Sequence, residues 1–222
     1  MILAIDTSTE VCGAALADAT RLLGEVTVRR RNAHSEIIMD CISGILERSG
    51  CSSADIEAIA VAVGPGSFTG LRIGIGTAKG LAFGWNLPVI PVRTTAAAVA
   101  LMPPLASSAC VLMNARKEEF YLEQFEYRNG DWRSAGPVLL VRLEQLPDLL
   151  PKGPKLLLGD GCLTYRDDIQ RMTENCVWLH PFDTYRSAGG VAAAGVMLNG
   201  KGGGMDAALV VPGYCNPYKG IE

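Results

Sequence analysis

The sequence predicts an α/β protein made of two similar halves, the second degenerate. Three observations carry that expectation. Short apolar, β-branched runs such as Met1-Ile-Leu-Ala-Ile5 and Ile59-Ala-Val-Ala-Val63 suit strands covered on both faces. A glycine-rich stretch, residues 64–84, joins one such run to the next, Pro88-Val-Ile-Pro-Val92, as turn and helix. Beyond Met102-Pro-Pro104 the order strand, strand, strand, helix, strand partly recurs. The halves are therefore expected at residues 1–103 and 104–222.

In order, Ile2–Ile5 is the first strand, closed by Asp6-Thr-Ser-Thr9. Val11–Leu16 is the second and Leu22–Arg29 the third, with Asp18-Ala-Thr20 as the turn. Residues 33–49 read as an amphipathic helix. Ile37, Ile38, Cys41, Ile42, Ile45 and Leu46 lie on one face, with Glu36, Asp40, Ser43 and Glu47 opposite. Gly50 ends it. Strand 58–63, helix 69–85, strand 88–92 and an alanine-rich helix over 94–101 follow. In the second half, 109–113 and 119–127 alternate as strands, Asn129-Gly130 signals a hairpin, and 132–141 is a third strand. A short helix at 143–149, strand 155–158, helix 163–172 and helix 187–198 complete it. Residues 202–222 read as irregular.

The glycine helix is the unusual element. Seven of the 21 residues from Gly64 to Gly84 are glycine. At about 100° per residue, Gly70, Gly74, Gly76, Gly80 and Gly84 share one arc, while Leu71, Ile75, Ala78 and Ala82, with Phe83 near them, share the other. Thr69 is the expected N-cap. Five helical glycines cost roughly 4–5 kcal/mol against alanine, so close backbone approach by another element must offset them. The two arcs cannot face one neighbour. The helix is expected to pack on its own sheet and on something else; burial within one domain is the plainer alternative.

Composition bounds the function classes. A net charge of −3 argues against a nucleic-acid surface spread over the whole molecule. The basic cluster Arg29-Arg30-Arg31 reads as a solvated strand end. Seven cysteines without CxxC spacing fit free thiols in a reducing compartment. No signal peptide and no apolar run of membrane-spanning length is visible.

Asp6, Thr7, Ser8 and Thr9 stand at the carboxyl end of the first strand, where open α/β sheets collect ligands. Hydroxyls and amides there can hold phosphate and Asp6 can orient magnesium; the same residues also simply close turns. Gly64-Pro-Gly66 lacks the Walker spacing, and the later glycines lie inside the helix rather than before it. Gly159-Asp-Gly161 reads as a surface turn, with a second nucleotide turn as the lesser reading. His34 shares the face of Ile38 and reads as a core or capping histidine; His180 has no evident partner. No zinc spacing, serine-hydrolase elbow or nucleophile–base–orienter set is present.

Ile2-Leu-Ala-Ile-Asp-Thr-Ser-Thr9, the His34-Ser-Glu36 helix start, Val63-Gly-Pro-Gly-Ser-Phe-Thr-Gly-Leu-Arg-Ile-Gly74 and Ala78-Lys-Gly-Leu81 together closely resemble the TsaB (YeaZ) family of bacterial tRNA threonylcarbamoyladenosine biosynthesis proteins. Asn114-Ala-Arg-Lys-Glu-Glu-Phe-Tyr121 is similar to another segment of that family, with Asn114 in place of the usual Asp. Pro212-Gly-Tyr-Cys-Asn216 also departs from the family pattern. The resemblance covers most of residues 1–125 and implies the actin-like, Hsp70-like, sugar-kinase-like ATPase fold.

It further implies a non-catalytic subunit of the complex that forms threonylcarbamoyl-adenosine beside the anticodon of tRNAs reading codons that begin with A. The catalytic paralogue TsaD carries the metal, a TsaE-like ATPase joins, and a homodimer forms when TsaD is absent. Thr94 and Ala98 stand where TsaD-like chains place metal-binding histidines, so no metal is expected here. The implied partner interface comprises His34, Ile38, Ile42, Gly70, Arg72, Ile73, Gly74, Thr77, Ala78 and Leu81. ATP or ADP with magnesium at Asp6–Thr9 is the one cofactor contemplated, the location is cytoplasmic, and tRNA is reached through the complex. A free-standing ATP-dependent small-molecule kinase is the alternative.

Overall fold

The computed structural model describes residues 1–30, 33–179 and 188–213. Two units are present. Residues 1–101 cluster with 188–213, and residues 102–179 form the other. This differs from a division at 103/104, because the helix over Ala188–Asn199 packs on the first sheet.

In the first unit, β1 (Ile2–Asp6) pairs antiparallel with β2 (Val11–Ala17) and parallel with β4 (Ala58–Gly64). β3 (Leu22–Arg29) forms one edge and β5 (Val89–Arg93) the other, giving the order β3-β2-β1-β4-β5. Alternation along β1 explains its unbroken apolar run. Leu3 and Ile5 face α1 (His34–Ser49) and α2 (Phe68–Trp85), with Ile38, Ile42, Ile59, Val61 and Ile75. Ile2 and Ala4 face the opposite layer, α3 (Thr94–Ala100) and the helix over 188–199, with Ala60, Ala62, Ala97 and Val191. That layer is built of small residues so that backbones can approach. A Cβ at Gly195 would stand 2.6 Å from Ala60 Cβ, and one at Gly190 would meet the Ala97 carbonyl.

In the second unit, β6 (Ser108–Arg116) and β7 (Glu119–Arg128) form the central antiparallel pair. The expected single strand over 132–141 is two: β8 (Asp131–Ser134) and β9 (Leu139–Arg142), each antiparallel to a different stretch of β7. The Asn129-Gly130 hairpin forms, both residues at positive φ (54° and 84°). Leu143–Gln145 is a 3₁₀ turn leading into α4 (Leu146–Leu149). β10 (Lys155–Leu158) lies parallel to β6, and β11 (Cys176–Trp178) parallel to β10. The expected helix over 163–172 is α5 (Asp160–Thr164) followed by α6 (Arg166–Met172). The helix over Ala188–Asn199 is α7. Residues 214–222 and His180 lie outside the described residues. No described helix is long and apolar enough to cross a membrane.

Candidate functional site

Helix α2 is positioned by its N-terminal turn. Ser67, not Thr69, is the N-cap: its hydroxyl accepts from Gly70 N at 3.2 Å, and its own amide donates to Ser8 O at 2.7 Å. Gly66 must be glycine, since a Cβ there would run into the Ser8 carbonyl. Asn86, left-handed at φ 54°, closes the other end.

The glycines of α2 divide into two groups that the helical projection merged. Gly70 and Gly74 face inward against the β1–β2 turn. A Cβ on Gly70 would strike the Thr7 carbonyl, and one on Gly74 the Thr7 hydroxyl. Gly76, Gly80 and Gly84 face outward with none of the described residues within 4 Å. Beside them Phe83, which the projection set near the apolar arc, is 90% exposed. Phe68 is also largely exposed and carries the Arg72 guanidinium 3.8 Å over its ring. Lys79 donates to Ala208 O at 3.2 Å.

Of the expected interface residues, Ile38, Ile42, Gly70, Gly74 and Ala78 are buried in this chain's own core, and His34 nearly so. The sheet occupies that side of both helices. Arg72 is exposed, and Ile73, Thr77 and Leu81 are partly so. His34 serves the interior, donating Nε2–H to Thr9 O at 2.8 Å. The outward surface of α1 is Ser35, Glu36, Met39, Asp40, Ser43, Glu47, Arg48 and Ser49.

The Asp6–Thr9 turn is drawn into the same packing. Thr7 donates its hydroxyl to Gly70 O at 2.7 Å, and Ser8 N donates to Asp6 Oδ1 at 2.8 Å. Thr9 Oγ1 accepts from Val11 N at 3.2 Å. Asp6 is buried, which pushes its carboxyl above the ordinary value. The Ser8 hydroxyl and amide oppose that rise, Glu25 adds to it and His34 subtracts. The Ser8 hydroxyl, close enough to influence Asp6, has no partner in hydrogen-bond geometry. The turn therefore spends most of its polar groups on its own backbone and on α2.

The Gly159-Asp-Gly161 turn differs from the expected surface turn. Gly159, at φ 97°, lies directly on the Leu112 backbone. Asp160 accepts Asn114 N at Oδ1 and Asn114 Nδ2 at Oδ2, both at 3.0 Å. Burial raises its carboxyl against those bonds. Asn114 Nδ2 also donates to Thr164 Oγ1 at 3.1 Å. Neither spacing nor type signalled this pairing between residues 46 positions apart.

Thr94 is buried with its hydroxyl unpartnered, and Ala98 is half-buried on the same helix. Among the described residues no group of three or more His, Cys, Asp or Glu side chains gathers. The six described cysteines are free thiols. Arg29 pairs with Glu10 at 3.2 Å and Arg30 with Glu36 at 3.8 Å, so this basic cluster is partly neutralised.

Comparisons with known proteins bear on this architecture. A family model described as TsaD: tRNA N6-adenosine threonylcarbamoyltransferase matches residues 22–159. The chain is 42% identical over 171 residues to the tRNA threonylcarbamoyladenosine biosynthesis protein TsaB of Escherichia coli (strain K12), covering 75% of this chain and 74% of that one. Its fold superposes on YeaZ from Pseudomonas aeruginosa with a TM-score of 0.83 at 27% identity, over 96% of this chain and 98% of that one. Component A of (R)-2-hydroxyglutaryl-CoA dehydratase from Acidaminococcus fermentans shares the fold at 10% identity, with a TM-score of 0.51 over 93% of this chain and 98% of that one. The two-sheet architecture is the actin-like, Hsp70-like, sugar-kinase-like ATPase fold, with the second half degenerate.

Proposed function

Because the chain belongs to the TsaB family of tRNA threonylcarbamoyladenosine biosynthesis proteins, we propose that it is the non-catalytic scaffold of a tRNA-modifying assembly. Its partner is a TsaD-like catalytic paralogue. One observation carries the reading. Gly76, Gly80 and Gly84 form an open row along one face of α2 beside exposed Phe83. Close packing on Thr7 accounts for Gly70 and Gly74. The outward three cost roughly 2–3 kcal/mol against alanine, and no described residue packs on them to offset it. A helix of a partner laid into that row at close interaxial distance supplies the offset. Arg72, Ile73, Thr77 and Leu81 flank the row.

Thr94 and Ala98 offer no useful transition-metal ligand, which supports assigning the group transfer to the partner. A second copy of the chain covers the same row when the paralogue is absent. A TsaE-like ATPase and tRNA meet this subunit through the complex, and a cytoplasmic location fits the free thiols. The kinase alternative is disfavoured by the Asp6–Thr9 turn, whose Thr7 hydroxyl is committed to Gly70. Micromolar ATP–magnesium binding with turnover by the isolated chain would revive it.

The test is reconstitution with the TsaD-like paralogue. Co-elution of the two chains, and loss of threonylcarbamoyl-adenosine formation when this chain is omitted, are the expected results. Unchanged modification in its absence rejects the proposal. Replacing Gly80 by Leu locates the contact, since the variant is expected to fold and to elute alone.

A further inference from the structure

We infer that the hollow between α4 and the α6–β11 turn in the second unit binds a small organic monoanion, a carboxylate with a short apolar body, against the buried ammonium of Lys155. Lys155 is only 2% exposed. Its Nζ donates to Glu174 O at 2.6 Å and to Gly153 O at 3.3 Å, and no carboxylate among the described residues lies within ion-pair distance. The sulfur that faces it, Cys110, is no counter-ion: burial pushes that thiol up to about 12 even against the pull of Lys155, so it is neutral near pH 7. A buried charge without a counter-charge is costly, and two carbonyls leave the third ammonium proton unassigned.

Beside this ammonium lies a cavity of about 240 Å³. Pro147, Leu150 and Met172 give it apolar walls, and Thr173 and Asn175 add polar groups. The walls are fixed in place: Lys155 N donates to Asn175 O at 3.0 Å, and Asn175 Nδ2 donates to Lys152 O at 3.2 Å. Lys152 and the exposed Glu174 at the rim cancel in charge, leaving a single positive charge at the floor. One carboxylate matches that single charge. The volume is below that of a drug-sized site, so the ligand is a fragment-sized metabolite, and the walls call for an apolar body.

Sodium butyrate and its neutral isostere butyramide, at constant ionic strength, test this by amide NMR on the full chain. Saturable shifts confined to residues 150–155 and 172–176 are expected with butyrate, and a response weaker by about tenfold or more with butyramide. Lys155→Met removes the charge and is expected to abolish saturation. Should that variant fail to fold, Met172→Trp keeps Lys155 but fills the hollow, and a loss of affinity of about tenfold is expected. No saturable shift in the wild type, an equal response to butyramide, or shifts unchanged by Met172→Trp would each overturn the site.

Discussion

Thr7 and Gly70 are 63 positions apart, and the Thr7 hydroxyl donates to the Gly70 carbonyl at 2.7 Å. This bond ties the end of β1 to the first turns of α2, and both inward glycines exist to permit it. Gly74→Ala sets a methyl on the Thr7 hydroxyl, with the Ile5 side chain behind it. The variant is expected to lose about 1–3 kcal/mol, seen as a melting temperature lower by roughly 3–10 °C. A melting curve unchanged from wild type would show that Thr7 yields freely.

The outward glycines behave oppositely. Gly76→Ala and Gly80→Ala meet none of the described residues within 4 Å and gain helix propensity, about 0.8–1 kcal/mol each. The isolated chain is therefore expected to melt higher while its association with the paralogue weakens. Thermal melts and size-exclusion binding curves on the same preparations check both halves. Higher stability with undiminished association would mean that no partner approaches this row closely.

Asp160 receives two hydrogen bonds from Asn114, one from its backbone and one from its side chain. Asn114→Asp replaces a side-chain donor with a second carboxyl beside one whose proton affinity burial has already raised. One of the two must then hold a proton in the folded state. Its raised folded value supplies stability at low pH that is lost as pH rises through it. The variant is expected to be about 1–3 kcal/mol less stable near pH 7.5, with the gap narrowing toward pH 5. Denaturant midpoints at the two pH values decide it; a gap independent of pH rejects the carboxyl-pair account.

Asp6 offers a second pH test. Burial raises its folded-state value, so its contribution is favourable at low pH and declines as pH climbs through that raised value. Asp6→Asn keeps an oxygen to accept Ser8 N and removes the buried charge. We expect the variant to be more stable than wild type near pH 8 and equal to it near pH 4. Parallel melting-temperature profiles would show that Asp6 is already neutral or is better solvated than its burial indicates.

Local pattern determined a large share of this protein. The apolar run of β1, the Asn129-Gly130 hairpin and the amphipathic face of α1 were legible because each depends on neighbours within a turn or a strand. Family membership was legible in the glycine motif itself. Tertiary structure alone decided which of the α2 glycines turn inward. A projection gives angular order but not the direction of the sheet, and here both arcs are free of large polar groups. It also decided that Ile38, Ile42 and Ala78 are buried against this chain's own sheet, that Asn114 clasps Asp160, and that α7 returns to the first sheet. Each of those outcomes depends on contacts between residues dozens of positions apart, and periodicity along the chain carries no record of them.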